Sequence, residues 1–181
     1  MSPVVSFKQR VGTRFFRGLI KTKLKAKVEV EIYFIDLEIM EKEMIYSETI
    51  SLKTKGFSDI IDMTHHVLSV IDRSGVENGL LTVFCPGSTG AVTTIEYETG
   101  ALRDLQKVIE KIVPSNIPYE HDRRWGDGNG FSHVRAALMK PSLTIPLIQG
   151  RLTLGTWQQI VFIDFDNRSR NRNLLIHIMG E

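Results

Sequence analysis

The residues that could do chemistry concentrate in one window of the chain, between positions 119 and 138. Thirteen positions of it hold paired histidines, aspartates and arginines threaded by glycines: His121, Asp122, Arg123, Arg124, Gly126, Asp127, Gly128, Gly130 and His133. Imidazole and carboxylate groups can bind a metal ion or relay a proton. Because the two histidines cannot share a helical face by i, i+4 spacing, we expect the glycines to fold the segment back and bring them together. The alternative is a solvated polar loop that ends in a helix cap.

The end of this window predicts an anion site. The run HVRAALM is typical of a short helix, with Asn129 or Ser132 near its N-cap and Pro141 ending it. His133 and Arg135 would then lie at a helix N-terminus, where free N–H groups and the helix dipole favour a bound phosphate.

A second candidate anion site is the turn Pro-Gly-Ser-Thr-Gly at residues 86–90. Its glycines, its backbone N–H groups and the hydroxyls of Ser88 and Thr89 are the parts of an anion-binding nest, although an ordinary tight connection explains them equally well. Glu96 and Glu98 follow two residues apart on the next predicted strand and so share a face. They could form a metal or acid–base pair, or simply a polar sheet face.

Two amphipathic helices and several strands must position these residues. The first helix is predicted from a cap at Ser58 or Asp59 to Gly75, with Ile60, Ile61, Thr64, Val67, Leu68 and Ile71 on its apolar face. The second runs from Thr99 to just before Pro114, with Leu102, Leu105, Val108, Ile109 and Ile112 on one face. His65 and His66 are interpreted as surface residues of the first helix.

The remaining segments alternate or are continuously apolar, as β-strands do. They are MIYSETISLK from Met44, GLLTVFC and the segment after the turn, and then SLTIPLI, RLTLG, TWQQIVFIDFDN and NLLIHIMGE. The run 160–163 is too apolar for a strand with one solvated face, so we expect it to be buried on both faces.

Charge divides the chain into two parts. The formal net charge is +2, but residues 1–27 carry eight Lys and Arg and no acid, whereas residues 44–181 carry 14 basic and 15 acidic residues. We therefore expect a basic extension at 1–43, either an upstream start-site artefact or an added segment with a strand near 28–34, before one domain at 44–181. A role for nucleic acid would rest on that extension alone and is not expected. The single cysteine, Cys85, fits a reducing cytoplasm, and no window is apolar enough to span a membrane.

The segment SLTIPLIQGRLTLGTWQQI at 142–160 resembles the signature of the YjbQ-like proteins, the uncharacterised family UPF0047. Residues 119–138, which we call the histidine window, and the segment CPGSTGAVTTIEYE are similar to the branch of that family common in archaea. The resemblance covers residues 44–181. It implies an α/β (α+β) fold with about seven strands in packed sheets, two main helices and a short third helix, assembled as a homotrimer around a threefold axis.

The resemblance also implies a function. Members are described as secondary thiamine-phosphate synthases, which join hydroxymethylpyrimidine diphosphate to thiazole phosphate and release pyrophosphate. His121 and His133 match the family's recurrent histidines, whereas a third family histidine falls near Gly87, where this chain has none. A three-histidine metal site would therefore need an acid or Cys85 as a substitute.

Two hypotheses follow. In the first, the chain is a transferase in which His133, His121 and Asp127 are catalytic and the two histidines bind a divalent metal, Mg²⁺ or Zn²⁺. Substrate phosphate and ring would be held by Ser88, Thr89, Glu96, Arg135, Trp157 and Gln158, although Trp157 and Gln158 could instead lie at a trimer contact. In the second, the same cluster belongs to a metal- or phosphate-binding homotrimer without turnover.

Overall fold

The computed structural model of the protein describes residues 44–181. Eight strands and four helices are present in that range, and the predicted strand near 28–34 lies outside it. The strands are β1 Met44–Thr54, β2 Asp59–Asp62, β3 Gly79–Phe84, β4 Gly90–Ile95, β5 Ser142–Ile148, β6 Arg151–Leu152, β7 Gln159–Asp164 and β8 Arg170–Gly180. The helices are α1 Thr64–Ser74, α2 Thr99–Ile112, α3 Glu120–Trp125 and α4 Gly130–Met139. No helix in this part of the chain is both long and apolar enough to cross a membrane.

Two antiparallel sheets form the framework, which confirms the expected mixed α+β fold. The larger has the order β1-β8-β3-β5-β6, and the smaller has the order β2-β7-β4. The two long strands β1 and β8 pair along their full length, from Met44 opposite Gly180 to Thr54 opposite Arg170. The alternation of apolar and polar residues fixes this register, since a slip of one residue would turn the buried face of each strand to solvent.

The two sheets and the helices enclose two apolar cores, one on each face of the smaller sheet. The first lies between the sheets and includes Met63 and Val67 beside α1 together with Leu81, Phe162 and Ile176. The second lies under α2 and α4. Strand β7 supplies both cores, with alternate residues pointing to opposite faces. The expectation that residues 160–163 are buried on both faces is confirmed.

The predicted first helix begins too early. Residues Asp59–Asp62 form strand β2, which pairs with β7, and the helix begins at Thr64. Ile60 and Ile61 fit the helical spacing, but their branched side chains also suit a strand, and pairing with the central strand β7 decides between the two. Asp62 then accepts a hydrogen bond from the Thr64 N–H at 2.8 Å. The helix ends at Gly75 in the left-handed conformation, as predicted.

The second predicted helix has nearly the expected bounds, but its apolar face is only partly covered. Ile109 is buried and Leu102 and Leu105 pack beside it, whereas Val108 and Ile112 are exposed. The apolar stripe of this helix is therefore wider than the part of it that the smaller sheet covers.

The ends of several strands converge at one edge of the smaller sheet. Gly90 at the start of β4 lies opposite Asp164 at the end of β7, so the turn before β4 meets the loop after β7. Gly56 lies against that loop, with φ 76°, and a Cβ there would be 2.5 Å from the Asp166 carbonyl oxygen. Only glycine allows this approach, and the Phe57 N–H then donates to the same oxygen at 2.8 Å.

Candidate functional site

The histidine window folds back on itself. Helix α3 ends at Gly126 with φ 67°, and α4 begins four residues later at Gly130. Asp122 stabilises this reversal of the chain, because its Oδ1 accepts a hydrogen bond from the Gly130 N–H at 2.8 Å. The ring centroids of His121 and His133 are 4.4 Å apart and the planes are tilted by 50°. The structure thus brings together two imidazoles that are twelve residues apart in the chain.

Each imidazole has a polar partner. His121 Nε2 lies 3.4 Å from Asp127 Oδ2, and His133 Nδ1 lies 3.2 Å from the carbonyl oxygen of Ser88. Since a carbonyl oxygen only accepts, His133 Nδ1 carries the hydrogen in that bond. The Nε2 atom of a neutral His133 is then an unprotonated acceptor.

Asp127 is an ionised partner for His121. Desolvation acts to raise the pKa of the Asp127 carboxyl, but the Asn129 backbone N–H and His121 both donate to it and hold that pKa below its ordinary value. A carboxylate beside an imidazole orients the ring and stabilises its protonated form.

These groups line a cleft of ≈ 620 Å³. Its walls come from the turn before β4, from the histidine window, from the loop after β7 and from the start of β8: Gly87, Ser88, Thr89, His121, Trp125, Asp127, Asn129, His133, Asp166, Arg170 and Arg172. The volume is within the range of small-molecule sites.

The floor of the cleft is an ionic network. Arg172 donates through Nε and Nη2 to both carboxylate oxygens of Asp164, at 2.8 and 2.6 Å. Asp166 Oδ2 accepts from Arg170 Nε at 2.8 Å and from the Thr89 hydroxyl at 3.1 Å. Thr89 Oγ1 in turn accepts from Arg172 Nη2 at 2.7 Å. Asp164 and Asp166 are both buried, so they depend on these donors for compensation of their charge.

The network keeps its members charged. Burial raises the pKa of Asp166, but the hydrogen bonds from Arg170 and Thr89 outweigh burial and hold that pKa below its ordinary value. Burial lowers the pKa of Arg172, but the bonds and charge of Asp164 outweigh it and raise that pKa above its ordinary value. The Oδ1 atom of Asp166 is buried and has no hydrogen-bond partner among residues 44–181.

Trp125 is the aromatic residue of the cleft. Its side chain is 66% exposed, and the Arg124 guanidinium lies 5.4 Å from its ring centroid. An exposed indole at the rim offers a flat apolar surface to a ring-shaped ligand.

Arg135, which was predicted to hold phosphate, lies away from this cleft. It is only 3% exposed and donates to Glu110 Oε2, to Ser58 Oγ and to the carbonyl oxygen of Val113. It lines a separate cleft of ≈ 390 Å³. Asn129 is the N-cap of α4, as one of the two predicted caps, so Arg135 lies in the second turn of the helix and beyond its free N–H groups.

Three further residues predicted for substrate binding lie away from the cleft. Glu96 is exposed beyond the end of β4, and Glu98 caps α2 through the Gly100 and Ala101 N–H groups, so neither belongs to an acidic pair on a strand. Trp157 is 69% exposed, and Gln158 bonds to the Gly155 N–H and to Thr94. The residues of the predicted set that do meet are Ser88, Thr89, His121, Asp127 and His133.

The donor set does not assemble a metal site. Within residues 44–181, no three His, Cys, Asp or Glu side chains are arranged to hold a metal ion. Cys85 is buried and absent from the cleft wall, and burial raises the pKa of its thiol, so it does not replace the missing histidine. The divalent metal stays a prediction.

Sequence reasoning missed the floor of the cleft. Asp164 and Asp166 lie two residues apart, as do Arg170 and Arg172, and this spacing places each pair on one side of an extended chain. The pattern was available in the sequence, but the two aspartates fell at the end of the predicted strand TWQQIVFIDFDN, and the two arginines fell between that strand and NLLIHIMGE.

Comparison with known proteins places the chain among uncharacterised proteins. Residues 48–181 match the family described as UPF0047 protein YjbQ-like. A UPF0047 protein of Methanothermobacter thermautotrophicus is 37% identical over 137 residues, 76% of this chain and 94% of that protein. The UPF0047 protein YugU of Bacillus subtilis is 31% identical over 74% of this chain and 98% of its own length.

Solved structures agree in fold. A YbjQ-like protein of unknown function from Sulfolobus solfataricus superposes with a TM-score of 0.73 at 27% identity, covering 77% of this chain and 99% of that one. An uncharacterised conserved protein of the yjbq/upf0047 family from Clostridium acetobutylicum gives a TM-score of 0.66 at 36% identity, covering 72% and 98%.

Proposed function

The chain belongs to the YjbQ-like family UPF0047, and on that premise we propose that it is a transferase of the secondary thiamine-phosphate synthase type. The reaction joins hydroxymethylpyrimidine diphosphate to thiazole phosphate and releases pyrophosphate. The observation that carries the proposal is the union in one cleft of two contacting imidazoles, a carboxylate on one of them and a floor rich in guanidinium groups.

The proposed reaction requires little proton transfer by the protein. The ring nitrogen of the thiazole attacks the methylene carbon of the pyrimidine with its lone pair, and the bond from that carbon to the diphosphate oxygen breaks. The electron pair leaves with pyrophosphate, so negative charge develops on the leaving oxygen. His121, oriented by its contact with Asp127, donates a hydrogen bond to that oxygen, and His133 Nε2 lies on the same wall.

Binding of two flat rings fits the rim of the cleft. Trp125 gives one stacking surface, in place of Trp157, and the Ser88–Thr89 turn lines the same cleft. The cleft volume of ≈ 620 Å³ accommodates a heterocycle with its phosphate groups.

We also propose that the protein acts in the cytoplasm as a homotrimer. The outer face of the larger sheet is uncovered by any helix in residues 44–181 and exposes Ile45, Leu80, Phe84, Ile148 and Met179. Such a face fits contact with further copies of the same chain. Light scattering on the wild type and on Leu80→Glu tests it: a monomeric wild type would end the proposal.

The activity test follows product from the two precursors. Purified protein is incubated with hydroxymethylpyrimidine diphosphate and thiazole phosphate, and thiamine phosphate is measured by chromatography. We expect product from the wild type, a loss of about 100-fold in His133→Ala, and no change in His65→Ala, a matched histidine on the surface of α1. Equal, product-free traces from wild type and His133→Ala would remove the support for an enzyme.

A second candidate is a homotrimer that binds phosphate ligands without turnover. The ionic floor favours it, because Arg170 and Arg172 are held in place by Asp164 and Asp166 whether or not the histidines react. Binding of the diphosphate substrate with no product, under conditions that saturate the site, would select this candidate.

A further inference from the structure

One edge of the Arg172 guanidinium is hydrogen-bonded within the protein, and the other edge is free. Its Nε and Nη2 atoms donate to Asp164 and Thr89, and its side chain is 12% exposed. Nη1 has no hydrogen-bond partner within the part of the chain that the structure describes. A guanidinium that is fixed through two nitrogens presents its third with little loss of side-chain entropy on binding.

Arg170 is held in the same manner but is more accessible. Its Nε donates to Asp166 Oδ2 at 2.8 Å, and its side chain is 34% exposed. Neither terminal nitrogen has a partner among residues 44–181. Both arginines belong to β8, two residues apart, and both line the cleft.

Gly87 leaves the open side of Arg172 accessible to a ligand. A Cβ added at Gly87 would lie 3.7 Å from Arg172 Nη1, and no side chain stands there. Gly87 itself lines the cleft. The position that the resemblance assigns to a third family histidine is thus, in this chain, the place where a guanidinium edge faces the cleft.

From these contacts we infer that Arg170 and Arg172 form a clamp for two linked phosphate groups, the diphosphate of the substrate and the pyrophosphate product. The free terminal nitrogens of two arginines on one strand can each take one phosphate, and a single phosphate cannot satisfy both. The inference rests on the proposed function and fixes the direction of the substrate, with the diphosphate over Arg170 and Arg172 and the heterocycle at the Trp125 rim.

Charge on the floor is balanced rather than strongly positive, since Asp164 and Asp166 offset the two arginines. Recognition therefore depends on the geometry of the free N–H groups more than on net attraction. A geometric clamp distinguishes pyrophosphate from phosphate, whereas a diffuse positive patch does so weakly.

Calorimetry on the full chain, with inorganic pyrophosphate and inorganic phosphate as probes, tests the clamp. We expect wild type to bind pyrophosphate about tenfold more tightly than phosphate. Arg170→Gln should weaken the affinity for pyrophosphate by about tenfold and abolish that preference. Arg170 is chosen because it is partly exposed and its loss leaves the Arg172–Asp164 pair intact. Arg168→Gln changes an exposed arginine in the loop just before β8; it is the matched control and should bind as wild type does.

His133→Ala completes the design, and it should retain pyrophosphate affinity within about threefold. The clamp is overturned if Arg170→Gln matches wild type, if His133→Ala alone loses binding, or if wild type does not bind pyrophosphate. Pyrophosphate binding without formation of thiamine phosphate would remove the proposed function and leave the clamp. Turnover that is equal in Arg170→Gln and wild type would remove the clamp and leave the function.

Discussion

Arg135 and Arg172 have similar surroundings but differ in the hydrogen bonds that they leave open. The side chain of Arg135 is 3% exposed and that of Arg172 is 12% exposed. Each pairs with a carboxylate, and each is held by further polar groups on neighbouring elements. Every nitrogen of Arg135 donates to a protein atom, and its guanidinium lies 4.8 Å from the Phe131 ring centroid. Arg172 keeps Nη1 without a partner in residues 44–181 and faces a cleft. In the proposed clamp, this difference in open hydrogen bonds, rather than burial or pairing, separates an arginine that holds the fold from one that binds a ligand.

The largest effect on stability is expected from Arg135→Met. This change leaves the Val113 carbonyl oxygen and the Ser58 hydroxyl without their donor in a buried setting, so unfolding free energy should fall by about 3 kcal/mol. Urea denaturation measures it. The folded fraction should bind pyrophosphate as wild type does, and a loss of that affinity would contradict the division between the two arginines.

A smaller effect on stability, with an effect on binding, is expected from Arg172→Lys. Lysine keeps the charge beside Asp164 but cannot donate from a planar fork. We expect a loss of about 1–2 kcal/mol in unfolding free energy and of about tenfold in pyrophosphate affinity. Unchanged affinity beside reduced stability would make Arg172 a structural residue like Arg135.

The smallest effect concerns acid stability. The Asp166 pKa is below its unfolded value, so its contribution is fully present above the ordinary Asp pKa and is lost as the pH falls through the lower folded value. Denaturation of wild type and Asp166→Asn should therefore show a difference that is constant near neutrality and shrinks below about pH 4. Asp72→Asn is the control, since that carboxylate is exposed on α1. A difference that grows on acidification would contradict the assignment.

Much of the fold was predictable because local pattern and tertiary position agree. The alternation of β1 and β8, the continuous apolar run of β7, and the helix ends at Gly75 and before Pro114 needed only propensity and periodicity. Residues 59–62 were assigned wrongly because the same apolar residues satisfy both a helical and an extended pattern. Pairing with β7, which is about 100 positions away in the chain, decides that choice.

The histidine part of the site was predictable because the chain returns locally. His121, Asp127 and His133 are joined by a short glycine-rich segment, so their proximity follows from the sequence between them. Asp166 and Arg172 reach the same cleft through β7 and β8, which belong to different sheets. No local rule connects them with the histidine window.

The sequence by itself determined the family, the α+β class and the approach of the two histidines, because each is encoded in neighbouring residues. The tertiary structure decided which arginine faces the cleft. Arg135 and Arg172 have the same side chain, but one closes all its hydrogen bonds on Glu110, Val113 and Ser58, and the other keeps an edge toward the cleft across Gly87. That difference depends on which distant backbone and carboxylate atoms the fold brings within about 3 Å, and such distances are set only when the two sheets and the helices pack together.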